Sequence, residues 1–175
     1  MSDDALRLDQ QLCFALYSAS RAMIRAYQPL LEPLGITYPQ YLVMLALWER
    51  DGVTVKSLGE RLALDSGTLT PLLQRLEAQG VVRRQRSDED ERKVEIHLTS
   101  AGRQMRNKAR SIPTALACRA GFDVEDKDAL RKLGQLRETL RALEQTIERD
   151  REAIAEPAAA TATAAPRAAK KRAAR

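Results

Sequence analysis

The chain has 175 residues, 44% of them apolar and 30% charged, a balance that suits one soluble globular domain with an appendage. Its formal net charge is +5, yet Met1 to Glu156 is neutral, so the surplus lies on Arg167, Lys170, Lys171, Arg172 and Arg175. No apolar run approaches the roughly 18 residues of a membrane span. One histidine (His97), two distant cysteines and singly scattered glycines exclude ordinary metal sites, a histidine triad and a phosphate loop. The acidic start Met1-Ser2-Asp3-Asp4 is unlike a secretory leader. A cytoplasmic protein with no metal, cofactor or membrane partner is therefore expected.

Residues 5–28 lack Pro and Gly and place Leu12, Leu16, Met23 and Tyr27 at helical spacing, with Pro29, Pro33 and Gly35 ending the helix. Thr37 caps a second helix entered through Tyr38-Pro39, with Leu42, Leu45 and Trp48 facing inward and Asp51-Gly52 closing it. Val53-Thr54-Val55 suits a single rung of sheet, and Leu58 and Leu62 mark a short helix over about 56–63. After a turn at Leu64-Asp65-Ser66-Gly67 comes a helix with Leu69, Leu72, Leu73 and Leu76, closed by Gly80. Pro71 falls within or just after its first turn.

The period then changes to two. Val81–Arg86 and Lys93–Leu98 read as strands joined by the charged turn Ser87–Arg92. Thr99 or Ser100 caps a helix running to about Cys118, bent at Pro113. Asp123 and Asp126 open the last helix, where Leu133, Leu136, Leu140, Leu143 and Ile147 form a coiled-coil-like seam, either core or subunit interface. Residues 157–175 are Ala, Lys, Arg, Thr and Pro without a large apolar side chain, a composition expected to be disordered. The fold class is mainly α with a small β-hairpin wing (α+β).

Helix, turn, helix and hairpin together outline a winged helix-turn-helix, whose second helix enters the major groove by its N-terminal end. The residues there are Ser66, Gly67, Thr68 and Thr70, with Gln74 and Arg75 a turn further on, types that allow close approach and base-edge hydrogen bonds. Arg84, Arg86 and Arg92 give the hairpin a positive stripe, and Asp90 is spaced to orient the Arg92 guanidinium at a minor groove. Residues 1–55, 56–110 and 111–156 carry −2, +4 and −2, so a basic middle lies between acidic ends.

The stretch Leu76–Arg84, followed by Asp90-Glu91-Arg92 and Leu98-Thr99-Ser100-Ala101-Gly102, resembles the multiple-antibiotic-resistance regulator (MarR) family over about residues 8–150. That resemblance implies a homodimer on a pseudo-palindromic double-stranded operator, usually as a repressor. It further implies a helical dimerisation region of residues 1–36 and 99–156, a winged DNA-binding lobe of 37–98, and Arg92 in the minor groove.

Six of the seven aromatic residues fall between Phe14 and Trp48, close in sequence to Cys13. On one continuous helix Cys13, Tyr17, Ile24 and Tyr27 lie within about 40° of one face, but Cys13 and Tyr27 are about 21 Å apart along it. They can meet only across two antiparallel copies. A thiol reacts as thiolate, and tyrosine hydroxyls can hydrogen-bond the sulfur in an apolar pocket; the same pattern also fits a buried structural cysteine.

Leu12–Ser18, with Tyr27, Tyr38 and the run Asp65–Leu73, is similar to the organic-hydroperoxide-sensing branch of the family. The similarity implies that organic hydroperoxides oxidise Cys13 and that Tyr27 and Tyr38 contact it across the dimer; Tyr17, on the same helix face as Cys13, is a further pocket candidate. The similarity also implies that Cys118 closes an intersubunit disulfide, as in two-cysteine members. A non-enzymatic redox repressor is expected. Alternatives are a repressor answering a non-covalent phenolic ligand and, in a different class, a thiol peroxidase.

Overall fold

The computed structural model describes residues 6–87, 90 and 92–162. Seven α-helices and three short strands follow in the order α1 (Leu12–Leu31), α2 (Tyr38–Glu49), β1 (Val53–Thr54), α3 (Val55–Leu62), α4 (Ser66–Ala78), β2 (Val82–Arg86), β3 (Val94–Leu98), α5 (Ser100–Ala109), α6 (Ile112–Arg119) and α7 (Lys127–Ala162). The protein is thus mainly helical with a small antiparallel sheet, as its sequence pattern indicates. The sheet order is β1-β3-β2, with Val53 opposite Ile96 and Arg84 also opposite Ile96 from the other side. β1 is the expected single rung.

α1 starts at Leu12 rather than residue 5, because Leu8–Gln10 form a separate 3-10 turn flanked by an Arg7–Asp9 ion pair. It also runs through Pro29 to Leu31, where a 3-10 turn and Gly35, at φ 66°, end it. Pro29 forfeits one hydrogen bond in the last turns without stopping the chain. Thr37 begins α2, its main-chain N–H donating to the Gln40 side chain at 2.8 Å. Leu42, Leu45 and Trp48, expected inward, are only half-buried, and Tyr41, Val43, Met44 and Leu47 are the fully buried set. A helix apolar on most sides has no unique inward stripe to read.

The core gathers those α2 residues with Leu31 and Ile36, Leu58 of α3, Leu69, Leu73 and Leu76 of α4, and Val82, Ile96 and Leu98 of the sheet. Gly102 follows β3 so closely that a Cβ there would lie 2.1 Å from the Val81 carbonyl oxygen. The expected bent helix over 99–118 is two helices. The chain turns at Arg110–Ser111 and Pro113 takes a first-turn position of α6, where its missing N–H costs nothing.

The chain divides into two compact units, one ending at Gly121 and one beginning at Phe122. In the second, Asp126 precedes α7 and accepts the Asp128 N–H at 2.8 Å. The seam residues Leu136, Leu140 and Ile147 are 40–56% exposed. α7 continues through Pro157 to Ala162, so residues 157–162 are helical rather than disordered. Alanine has the highest helix propensity, and propagating an existing helix avoids the nucleation penalty. The rest of the expected disordered tail, 163–175, lies outside the described residues. Among the described residues, no helix is long and apolar enough to cross a membrane, and no cluster of metal-ligating side chains occurs.

Candidate DNA interface and thiol site

The helix-turn-helix is α3, a three-residue turn and α4. Ala63 adopts a left-handed φ of 51° and the Leu64 N–H reaches back to the Gly59 carbonyl at 2.9 Å, closing α3 sharply. A side chain at Gly59 would meet the Leu64 oxygen at 2.8 Å, so glycine there permits the turn. Asp65 starts α4: its carboxylate accepts the Thr68 N–H at 2.9 Å and the Thr68 hydroxyl at 2.8 Å. These two Thr68 hydrogen bonds hold the Asp65 carboxyl below its ordinary pKa.

Ser66, Gly67, Thr68, Gln74 and Arg75 are exposed and Thr70 is half-buried, so the α4 residues chosen from the sequence reach the surface. The Thr68 hydroxyl proton is engaged by Asp65, which leaves its oxygen as an acceptor. Asp65 itself was not among the sequence candidates. A carboxylate three residues before Thr68 and ahead of an apolar period is the helix-start signal that identifies it.

In the wing, β2 alternates, so Arg84 and Arg86 share a face and both are exposed. The Arg84 N–H donates to the Glu77 carboxylate at 2.9 Å, tying the base of the wing to the end of α4. Arg92 is exposed. Asp90 accepts its main-chain N–H at 3.1 Å, while the other carboxylate oxygen lies 3.7 Å from Lys93. Asp90 therefore shapes the hairpin tip through the backbone. Asp88, Glu89 and Glu91 lie outside the described residues.

At the thiol site, α1 is one unbroken helix. Cys13, in its first turn, is exposed. Tyr17 is 58% exposed, with the Arg21 guanidinium 5.7 Å from its ring centroid. Tyr27 and Tyr38 stack at 4.6 Å, Tyr27 and Tyr41 lie 5.7 Å apart, and Tyr41 meets Trp48 edge-on at 6.2 Å. One copy thus joins Tyr27 to Tyr38 and adds Tyr41, while Cys13 and Tyr17 stay at the far end of α1.

Burial pushes the Tyr27 phenol up to about 12, with Tyr38 and Tyr41 adding to the rise. Tyr38 and Tyr41 are raised chiefly by burial too. All three remain hydroxyl donors throughout the neutral range. Beside Tyr38 a cleft of about 520 Å³ opens between α1 and the start of α2, lined by Ile24, Arg25, Gln28, Leu31 and Ile36.

Cys118 is exposed in the last turn of α6. The adjacent Arg119 donates to the Ala26 carbonyl at 3.5 Å, which sets this end of α6 beside Ala26. Ala26 is about 20 Å along α1 from Cys13.

The family profile of the transcriptional regulators SarA/Rot matches residues 25–109. The organic hydroperoxide resistance transcriptional regulator of Bacillus subtilis (strain 168) is 49% identical over 144 residues, spanning 82% of this chain and 94% of that protein. A MarR transcriptional regulator from Methanosarcina mazei Go1 superposes with TM-score 0.66 at 26% identity, covering 76% and 88%. The chain belongs to the MarR family. It is a DNA-binding transcriptional regulator of the winged-helix type.

Among solved members, AbfR of Staphylococcus epidermidis in its reduced, DNA-bound form is 38% identical with TM-score 0.63, covering 82% of this chain and 99% of that one. Disulfide-formed AbfR matches with TM-score 0.57 at 38% identity, covering 81% and 95%. Within this MarR-family chain, sequence reading missed the ties between α2 and the wing. Trp48 Nε1 donates to the Gly102 carbonyl at 2.9 Å, and Asp51 accepts the Leu98 N–H at 2.8 Å and Arg103 at 3.2 Å. Partners 54, 47 and 52 positions apart leave no local sequence signal.

Proposed function

We propose that this regulator is a thiol-based repressor. As a homodimer it holds a pseudo-palindromic operator through Ser66, Gly67, Thr68, Thr70, Gln74 and Arg75 in the major groove. Arg84, Arg86 and Arg92 contact the flanking backbone and minor groove, with Asp90 shaping the tip. Residues 1–36 and 99–156 supply the subunit interface. The similarity to the Bacillus hydroperoxide regulator supports the choice of signal.

The observation that carries this reading is the separation, within one unbroken α1, of the exposed Cys13 from the Tyr27–Tyr38 pair. A second copy has to bring these groups to the sulfur. Exposed Leu12, Tyr17, Met23 and Ile24 on the same helix offer an apolar surface for that copy.

The Cys13 thiolate attacks the distal oxygen of an organic hydroperoxide. The O–O bond breaks, two electrons leave sulfur, Cys13 becomes a sulfenic acid and the alkoxide departs as alcohol after taking a proton. Tyr27 and Tyr38 of the partner subunit, kept protonated by burial, donate hydrogen bonds at the sulfur. The thiol of the partner subunit's Cys118 then displaces hydroxide as water, giving an intersubunit disulfide that two external thiols can reduce. Drawing these helices together moves the two DNA-reading lobes out of register with their half-sites.

The test is a non-reducing gel run beside an operator shift with cumene hydroperoxide. Oxidant releases the DNA and gives a reductant-sensitive dimer band. Cys13→Ser keeps the operator, and Cys118→Ser lacks the band. Release from Cys13→Ser at the same dose refutes the thiol reading. The cleft beside Tyr38 supports a second reading, a non-covalent phenolic ligand, which that outcome would favour.

A further inference from the structure

α2 holds the tyrosine cluster near its start and is tied near its end to α5 and, through it, to the junction of α4 with the wing. Tyr41 touches both Tyr27 of α1 and Trp48, a residue two turns further along α2. The Trp48 indole N–H donates to the Gly102 carbonyl in the first turn of α5. Gly102 in turn donates to the Thr99 hydroxyl oxygen at 3.1 Å. That hydroxyl donates to the Gly80 carbonyl at 2.7 Å, and the Thr99 N–H reaches the Val81 carbonyl at 3.1 Å. Gly80 and Val81 are the junction between α4 and β2. One continuous series of contacts therefore runs from α1 to the end of the recognition helix and the root of the wing.

Trp48 packs at the edge of the core. The ring is half-buried and flanked by two clefts of about 180 and 400 Å³, both bordered by Glu49, Arg106 and Arg110. The clefts leave α2 room to shift against α5 while the N–H to carbonyl bond keeps the two elements joined. Asp51 provides a second tie to Leu98 and Arg103, but the described ring contacts to the tyrosines pass through Trp48.

We propose that Trp48 is a positioning residue that transmits a change in the Tyr27–Tyr41 cluster to the junction of the recognition helix with the wing, through its hydrogen bond to Gly102. The inference rests on the thiol-sensor reading, so thiol oxidation and DNA release are followed separately. Trp48→Phe keeps an aromatic ring and removes the donor. A net hydrogen bond corresponds to about a tenfold change in an equilibrium constant. The reduced variant is expected to bind operator within about threefold of the parent, while the affinity lost on cumene hydroperoxide treatment falls by about tenfold. A purely structural role would weaken the reduced and oxidised forms alike and leave their ratio unchanged.

Dimedone labelling of Cys13 reports the chemistry independently. Labelling at the parent dose with operator retained supports the relay. Labelling with parental release overturns it and leaves the thiol reading standing. A parent that is neither labelled nor released overturns the thiol reading, and the relay falls with it. Trp48 is the single tryptophan, so its emission in the unmutated protein gives a check that needs no variant. Peroxide is expected to shift that emission in the parent and not in Cys13→Ser; DNA release with unchanged emission overturns the relay.

Discussion

Gly102→Ala tests the junction on which the wing hangs. The new Cβ would sit 2.1 Å from the Val81 oxygen and 3.1 Å from the Val81 carbonyl carbon, so the two backbones must part by about 0.9 Å to reach a tolerable 3.0 Å. Neither side is free to yield. The Val81 carbonyl accepts the Thr99 N–H and its side chain is buried, while Gly102 is held by the Thr99 hydroxyl and by Trp48. Overpacking against backbone costs up to about 3 kcal/mol. Losing the Thr99–Val81 bond adds about 1 kcal/mol, and alanine's better helix propensity returns about 1 kcal/mol. The expected net destabilisation is about 3 kcal/mol, read from urea unfolding by far-UV circular dichroism. Gly134→Ala in α7 is the control: no atom lies within 4 Å of its added Cβ, so it is expected to be neutral or to stabilise by up to about 1 kcal/mol. A Gly102→Ala protein destabilised by less than about 1 kcal/mol would refute the packing argument.

Phenolate absorbance should show Tyr27, Tyr38 and Tyr41 ionising above the ordinary 10.0, Tyr27 last near 12, with that late step absent from Tyr27→Phe. Because these pKa values are raised in the folded state, their stabilisation is complete below pH 10 and is lost as pH climbs toward 12; unfolding that tracks no such window refutes the burial argument. Truncation after Ala162 removes Arg167, Lys170, Lys171, Arg172 and Arg175 and should flatten the salt dependence of DNA binding. The slope should fall by about 1 to 4 per subunit, with operator preference unchanged. An unaltered slope would show that these charges do not touch DNA.

Legibility in the sequence followed the range of the interactions. The recognition helix and wing could be read because the apolar period switches from 3.6 to 2 at Val81 and the turn residues are local. The Cys13–Tyr27 mismatch could also be read, since helix rise alone makes it. Three features could not. The start of α1 depends on how residues 6–11 fold back into a 3-10 turn, and Pro113 reads equally well as a bend or a first-turn residue. Leu42, Leu45 and Trp48 look inward by spacing, but Tyr41 and Met44 take the core because α1, α3, α4 and the sheet surround α2 from several sides. Gly102 was visible as part of a motif, while the reason for glycine there, Val81 of the preceding strand pair, lies 21 positions back.

The DNA-reading elements sit on a shared core. The wing and α4 share a buried core with α2, and hydrogen bonds through Trp48 and Asp51, each worth about 1 kcal/mol net, add to it. Reversing a population from mostly bound to mostly released requires about 5.5 kcal/mol of differential binding, which the two subunits of the proposed homodimer would share. An interface change of that size can therefore reorient a lobe without unfolding it. The fully buried leucines of α4, Leu69, Leu73 and Leu76, hold the recognition helix in the core it shares with α2. A repressor of the proposed kind would keep its reading surface and give up only the spacing between two such surfaces, so reduction of the sulfur would restore it.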